Sequence, residues 1–498
     1  MREFLFSKFP LPFRERGRLA LSMVEGVRVM RLVMKFGGTS VGDGQRIKNV
    51  ADLVCSYALQ EHAIVVATSA MSGVTDALIQ AARRAADGDD QTYRMIFHTL
   101  LNRHLAALEQ VVANSEVRAT LRGQITDGLE NLQNLCRSIH VLGELTPRAL
   151  DAVASLGERL LVPLLAHTLR ERGAHTQAIE ATELIVTDDN FTQAEPLIEA
   201  TRDKSRARLL PLLQSGIVPV VTGFIGATRQ GVITTLGRGG SDYTATLLGS
   251  VLDADEVWIW TDVNGVMTAD PRVVKDAQTL DEISYAEAAE LSYFGAKVVH
   301  PKTILPAAER DIPIHILNTF NPTHPGTRIV RTPRPNHRTV KAISAIRGLS
   351  LVTVEGRGMQ GVPGVAAKVF STVAREGISV LMISQSSSEQ NICFIVEARA
   401  AERALAALEK EFELERLRRN IDRIWAQERV VIIAAVGAGM KGIPGIAAKV
   451  FGALGERGLN IICIAQGSSE YNLSLVVDER DADNAVRAIH ASSCAIVG

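Results

Sequence analysis

The chain reads as an α/β protein, an open αβα sandwich on a mostly parallel sheet, with two small α/β modules behind it. Three observations predict this. From Arg31 onward, short β-rich runs alternate with helical stretches, the pattern of parallel strands joined by crossover helices. The composition then changes at 318–339 to Pro, Asn, Thr and Arg without periodicity, which marks a domain junction. Beyond it a segment of about 40 residues occurs twice, and such self-similarity means repeated structural units.

The predicted strands are RLVMKF (31–36), AIVVATS (63–69), GIVPVVTGFI (216–225), GVITTL (231–236) and EVWIWTD (256–262), each bounded by Gly, Asp or Ser. The longest helical set covers roughly 76–140. In the repeat, the segment 358–396 recurs as 439–477, so that Gly361 pairs with Gly442, Pro363 with Pro444, Gln385 with Gln466, Glu389 with Glu470 and Asn391 with Asn472. Each copy reads as strand, Gly-Pro-Gly turn, helix, strand, Ser-rich turn, strand. A length of 498 residues exceeds one hydrophobic core and implies about two to four domains. The expected divisions are an N-terminal extension at 1–30, a main domain at 31–325, and modules at 340–415 and 425–498, one of them open to being threaded into the other.

Lys+Arg total 54 against 55 Asp+Glu, a net charge of -1, which offers no electrostatic reason to expect nucleic acid or an anionic membrane as partner. No uninterrupted apolar run approaches the ~18 residues of a membrane span. Five cysteines, odd in number and never in a CxxC pair, fit thiols in a reducing, cytoplasmic compartment better than disulfides or a zinc site. The Arg-rich first thirty residues fit either a transit peptide or an extension upstream of the fold.

Each repeat opens with G-x-G-x-x-G, at Gly356-Gly358-Gly361 and Gly437-Gly439-Gly442. Alone, this is the dinucleotide fingerprint. Pro363 and Pro444 broaden the loop, and Gln385 and Gln466 stand where an acidic ribose ligand belongs. These features count against the dinucleotide reading.

Two other glycine-rich bends carry chemistry. Gly-Lys occurs nowhere, so there is no Walker A loop. Lys35-Phe36-Gly37-Gly38-Thr39-Ser40 instead sets a cation at a strand end, before glycines whose N–H groups can approach phosphate and a helix beginning near Asp43. By itself it would read as a Gly turn beside a surface lysine. In Thr235-Leu236-Gly237-Arg238-Gly239-Gly240-Ser241-Asp242, core packing does not explain three glycines around an arginine. They suit a backbone nest for an anion, with Arg238 able to grip a carboxylate bidentately. Asp242 falls near the N-cap of the next helix, where capping alone would account for it.

KFGGTSV, GELTPR, SLGER, GRGGSD, WTDVNGVMTADPR and FGAKVVHP, in this order, resemble the aspartate kinase branch of the amino acid kinase family, and the match runs from about Arg31 to the C-terminus. The repeats resemble the paired, ferredoxin-like βαββαβ ACT domains of that branch. The resemblance implies phosphorylation of L-aspartate to 4-phospho-L-aspartate by ATP with Mg²⁺, the first step toward lysine, threonine, methionine and isoleucine. By the same resemblance Lys35 would stabilise the transferring phosphoryl group and Asp242 would orient Lys35. Arg238 would hold the substrate α-carboxylate and Glu158 its α-amino group, with Thr75, Gly239 and Ser241 lining the aspartate pocket. Gly37, Gly38, Thr39, Thr261, Asp262, Arg272 and Lys297 would contact the nucleotide; no protein metal site is implied. Met71 departs from relatives that carry a small or polar residue there.

The resemblance further implies an amino acid effector bound near Gln385 and Gln466, with Ile383, Ile464, Asn391 and Asn472. Side-chain amides both donate and accept, which suits a zwitterion. MISQSSSEQN and IAQGSSEYN look closer to threonine-sensitive members than to lysine-sensitive ones. Assembly as a homodimer or homotetramer through the ACT domains is implied as well. The chain stops at Gly498, soon after the second repeat, so a monofunctional kinase is expected. A glutamate or acetylglutamate kinase, or a catalytically silent amino acid sensor, are the competing readings.

Overall fold

The computed structural model describes residues 30–60, 62–294, 299–334, 339–467 and 471–493. The N-terminal extension up to residue 29, Lys297, Glu470 and Cys494 lie outside the described residues. The chain forms two compact units. The first runs up to Val266 and includes Asp281–Tyr285 and Val299–Pro333; the second takes Met267–Leu280, Ala286–Val298 and Arg334 onward.

In the first unit the strands are β1 (Arg31–Phe36), β2 (Ala63–Thr68), β3 (Thr176–Ile179), β4 (Val186–Thr187), β5 (Val218–Thr222), β6 (Ile225–Thr228), β7 (Ile233–Thr235), β8 (Glu256–Thr261), β9 (Glu282–Ser284), β10 (Ile314–Asn318) and β11 (Thr327–Val330). Its principal helices are α1 (Gly44–Ala58), α2 (Val74–Ala86), α3 (Asp90–Val111), α4 (Ser115–Leu142), α5 (Pro147–Ala154), α6 (Leu156–Glu171), α7 (Ile198–Gln214) and α8 (Gly240–Val251). The main sheet has the order β3-β5-β2-β1-β8-β10-β11-β9. Every neighbouring pair is parallel except β10–β11.

Near-continuous apolar strands are what a sheet covered on both faces demands. Leu32, Met34 and Phe36 of β1 join Ile64 and Val66 of β2 in one core with the apolar sides of α1 to α6. Val33 and Val257 point the other way, are fully buried, and meet α8. Each such side chain stabilises the fold by ~1.5–3 kcal/mol when withdrawn from water. At Gly249 of α8 an added Cβ would lie 2.5 Å from Val257 Cγ2, so helix and sheet approach closely there.

Two sequence expectations change here. GIVPVVTGFI is two strands, because the chain breaks direction at Phe224, whose φ is +70°. Its first part is β5 in the main sheet, and its second is β6 in a small separate sheet ordered β4-β6-β7, to which GVITTL contributes β7. This small sheet delivers the Gly237–Gly240 bend to the carboxyl end of the main sheet.

In the second unit each repeat gives a long strand, a helix, two short strands and a helix. These are β12 (Ala342–Glu355), α9 (Val365–Arg375), β13 (Met382–Gln385), β14 (Asn391–Glu397) and α10 (Ala401–Glu411), then β15 (Arg423–Val436), α11 (Ile446–Gly455), β16 (Cys463–Gln466), β17 (Asn472–Asp478) and α12 (Ala482–Ser493). They form one six-stranded sheet ordered β13-β14-β12-β15-β17-β16. The strand that completes each four-stranded layer comes from the other repeat. Leu349–Glu355 of β12 pair with β14 on one side and with the first half of β15 on the other. Ala342–Ile346 pair with the second half of β15, which in turn pairs with β17. The first module is thus inserted in the second, and neither has a full sheet without the other. Two separate cores lie under the helices, one holding Val352, Val354 and Phe394, the other Val431, Ile433 and Leu475. The G-x-G-x-x-G bends are short 3-10 turns, Arg357–Met359 and Ala438–Met440, and the helices that follow are capped by Gly364 and Gly445. No helix begins on the fingerprint glycines.

Gly249→Ala is expected to destabilise the first unit. Alanine normally gains ~1 kcal/mol over glycine inside a helix, but overpacking against the stiff Val257 costs about 1–3 kcal/mol. Urea denaturation of the variant showing higher stability than wild type would contradict this packing.

Candidate active site

From β1 the sheet grows one way to β2, β5 and β3, and the other way to β8 and β10. In parallel sheets the crevice at such a reversal, outside the carboxyl ends of the strands, is where ligands bind. A cavity of ≈ 410 Å³ lies at this end, lined by residues that include Lys35, Ser69, Thr75, Asp151, Glu158, Thr192, Phe224, Thr235, Arg238, Gly239, Ser241 and Asp242.

Lys35 is the next-to-last residue of β1. Its Nζ lies 2.6 Å from Asp242 Oδ1, with side-chain exposures of 10% and 17%. Asp242 is therefore not an N-cap. That position is taken by Gly239, with no side-chain cap, and Asp242 stands inside the first turn of α8. The reason is the bend before it, where Gly237 (φ +74°) and Gly239 (φ +73°) take the left-handed conformation that glycine adopts at no steric cost. The chain thereby enters α8 with Asp242 turned toward β1.

After β1, the Gly37 N–H donates to the Trp260 carbonyl of β8 (3.2 Å), so this amide is engaged with the sheet. Gly38–Val41 form a 3-10 turn. Asp43 then caps α1, accepting the Arg46 N–H at 2.9 Å. Thr39 lies on this turn, and its carbonyl accepts from Arg46 Nη1 at 2.8 Å. Thr261 ends β8 beside the same loop, with its hydroxyl 3.3 Å from Asp262 Oδ1.

Glu158 sits in the first turn of α6 and is 2% exposed. Oε1 accepts the Ala70 N–H at 3.0 Å, while Oε2 has no hydrogen-bond partner. Burial pushes its pKa up to about 8, against the lowering effect of the Ala70 bond. An unpartnered carboxylate oxygen in a polar cavity suits a cationic ligand. Arg238 is exposed at the rim, and no carboxylate pairs with it among the described residues. Thr75 lies in the first turn of α2.

Lys35, Thr75, Glu158, Arg238, Gly239, Ser241 and Asp242 are thus brought to one cavity. Arg272 belongs to the second unit, where it pairs with Asp270 at 2.6 Å. Met71 is a core side chain, 1% exposed. Gln385 and Gln466 end β13 and β16, the opposite edges of the second unit's sheet, and these edges meet where the Ser384 hydroxyl donates to the Ile464 carbonyl (3.3 Å). Asn391 and Asn472 begin β14 and β17, beside them.

Sequence reasoning missed Asp151, Thr192 and Phe224. Asp151 precedes Glu158 by seven residues, a spacing that reads as helical in the sequence, although the two stand on successive helices, α5 and α6. That was its available signal. Thr192 and Phe224 owe their places to left-handed turns, which β-branched and aromatic residues do not announce.

The fold and this site define a class: the chain belongs to the amino acid kinase family. The model of that family matches residues 30–318, and an ACT domain model matches 352–412 and 433–492. Among relatives, the chain is 34% identical to lysine-sensitive aspartokinase 3 of Escherichia coli, across 93% of its own length and 98% of the relative's. It is 36% identical to the chloroplastic bifunctional aspartokinase/homoserine dehydrogenase 2 of Arabidopsis thaliana, covering 95% of this chain and 52% of that one. The chain therefore spans about half the length of the bifunctional curated relatives it matches. The solved structure of E. coli aspartokinase III with aspartate and ADP superposes with a TM-score of 0.77 at 34% identity, over 93% of this chain and 99% of that chain. Among the described residues, no helix is long and apolar enough to cross a membrane.

Because the Glu158 pKa is raised, the folded chain holds this proton more tightly than the unfolded chain. The resulting stability is complete below the ordinary carboxyl value of 4.5 and is lost as pH rises through about 8. Wild type is expected to lose stability relative to Glu158→Gln between roughly pH 5 and pH 8, at up to about 1.4 kcal/mol per pH unit. Parallel stability profiles of the two proteins would show that Glu158 titrates normally.

Proposed function

We propose that this chain is an aspartate kinase, transferring the γ-phosphoryl group of ATP to the side-chain carboxylate of L-aspartate. The observation that carries the proposal is the Lys35–Asp242 ion pair, 2.6 Å long, in one cavity with a free arginine and a buried, half-satisfied carboxylate. A cation beside an acid answers the need of phosphoryl transfer for positioned neutralisation of charge. Arg238 and Glu158, both lining this cavity, suit the carboxylate and ammonium of an amino acid.

In this reading an ionised carboxylate oxygen of aspartate attacks the γ-phosphorus and the bond to the β,γ-bridging oxygen breaks. The products are 4-phospho-L-aspartate and ADP. The nucleophile is already ionised, so no general base is required. Lys35 offsets charge on the moving oxygens, and Asp242 holds the Lys35 ammonium in place. Arg238 binds the α-carboxylate and Glu158 the α-ammonium, with Thr75, Gly239 and Ser241 shaping the pocket. Gly37, Gly38, Thr39, Thr261 and Asp262 are assigned to the nucleotide in this reading, and the family resemblance adds Arg272 and Lys297. Among the described residues no three His, Cys, Asp or Glu are grouped to hold a metal. The donor set does not fit a protein-built metal site, and Mg²⁺ belongs to the nucleotide co-substrate.

For the second unit we propose an amino acid effector at Gln385 and Gln466, flanked by Ile383, Ile464, Asn391 and Asn472, with homodimer or homotetramer assembly through the ACT domains. Ile383 and Ile464 are 50% and 40% exposed, which supports a surface awaiting a partner. Threonine is the preferred effector on the form of the two Ser-rich turns. Lysine is the second reading, favoured by similarity to lysine-sensitive aspartokinase 3. A reducing, cytoplasmic setting agrees with the free thiols of Cys55, Cys136, Cys393 and Cys463.

A hydroxamate assay with ATP tests the activity: aspartate should be turned over, and glutamate and acetylglutamate should not. Lys35→Met should lower kcat by about 10²–10³-fold; unaltered kcat would remove Lys35 from the chemistry. Threonine and lysine added separately identify the effector. Gln466→Ala should weaken that inhibition while uninhibited turnover stays nearly intact, and full inhibition in both Gln385→Ala and Gln466→Ala would move the effector site elsewhere.

A further inference from the structure

We propose that Asp151 is a positioning residue, a buried clamp that joins two loops of the cavity wall and so sets where Arg238 can reach. The inference rests on the aspartate kinase reading only for its substrate. Its geometry stands separately.

Asp151 lies on α5 and is 1% exposed. Its Oδ2 accepts two backbone N–H groups, from Thr192 at 2.9 Å and Thr235 at 3.0 Å, and its Oδ1 accepts the Thr235 hydroxyl at 2.6 Å. One carboxylate thus ties a helix to two chain segments that are distant in sequence. The segments also touch each other. The Ala194 N–H donates to the Thr235 carbonyl at 2.9 Å, and a Cβ on Gly237 would stand 3.2 Å from the Thr192 carbonyl.

Neither segment holds this shape by itself. Thr192 is β-branched yet has φ +73°, a conformation that persists only when its surroundings over-determine it. The Thr235 segment passes directly into two left-handed glycines, the least restrained backbone available. Arg238 follows three residues after Thr235 and has no carboxylate partner of its own among the described residues, so its position is that of its loop. Burial raises the pKa of Asp151, and the three bonds it accepts oppose that rise. A carboxylate kept in so dry a place is accounted for by the donors it gathers.

The physical expectation is specific to the acceptor side. If the clamp fails, the Arg238 loop loosens, while β1, Lys35 and the turn after it keep their own hydrogen bonds. Aspartate binding should suffer and nucleotide binding should not.

The test uses the full chain with Asp151→Ala, Asp151→Asn and Thr235→Val. Alanine leaves both N–H groups without their acceptor, and the KM for aspartate should rise about ten- to hundredfold, with the KM for ATP within about twofold of wild type. Asparagine can accept both N–H groups on its amide oxygen and donate to the Thr235 hydroxyl, so it should restore the aspartate KM to within about threefold of wild type. Thr235→Val, which loses only the hydroxyl bond, should fall between, and it carries the test if Asp151→Ala does not fold. Parallel changes in both KM values, or asparagine as poor as alanine, would overturn the clamp. Hydrogen exchange supplies a readout that needs no substrate: the Thr192 and Thr235 amides should exchange faster in Asp151→Ala than in wild type, and unchanged rates would also overturn it. A wild-type chain inactive on aspartate would refute the activity reading alone, leaving exchange to decide the clamp.

Discussion

The ion pair between Lys35 and Asp242 organises the first unit. One member stands at the end of a strand whose neighbours fill both faces of the sheet with apolar side chains. The other stands in the first turn of a helix packed on that sheet. Separating such a pair by deleting one partner leaves a poorly solvated charge, at a cost of about 3–5 kcal/mol when the pair is buried. The strand end and the helix entry are therefore held in register by charge, as the core holds them by packing. Gly249 allows α8 the close approach this needs, and the two left-handed glycines before α8 give the chain its angle of entry.

Around that pair, the cavity is completed by carboxylates in different states of satisfaction. Asp151 has three donors and Asp242 has a cation, whereas one oxygen of Glu158 has nothing. The first two conditions suit structure and positioning. The third is costly unless a ligand relieves it, since a buried polar atom without a partner forfeits its hydration. The same burial raises the pKa of the Glu158 carboxyl.

The second unit solves a different problem. Each repeat supplies three strands, while a ferredoxin-like layer needs four. The deficit is met by two strands of 14 residues, each running through both modules. The modules therefore share backbone hydrogen bonds along β12 and β15.

Much of this was legible in the sequence. The alternation of strands and helices, the place of β1, β2 and β8, the repeat and the two glycine-rich bends all follow from local periodicity and from glycine's freedom at turns, and these act over a few residues. The pairing of lysine and acid is an expectation of the family resemblance, not of any local pattern. What only the tertiary structure decided depends on groups far apart in the chain. Asp242 pairs with Lys35 instead of capping its own helix, because the preceding bend turns it inward. Asp151 gathers donors 41 and 84 residues away, and no local pattern records that. The exchange of strands between the repeats likewise follows from closing a four-stranded layer, a condition set by the assembled sheet and absent from either repeat read alone.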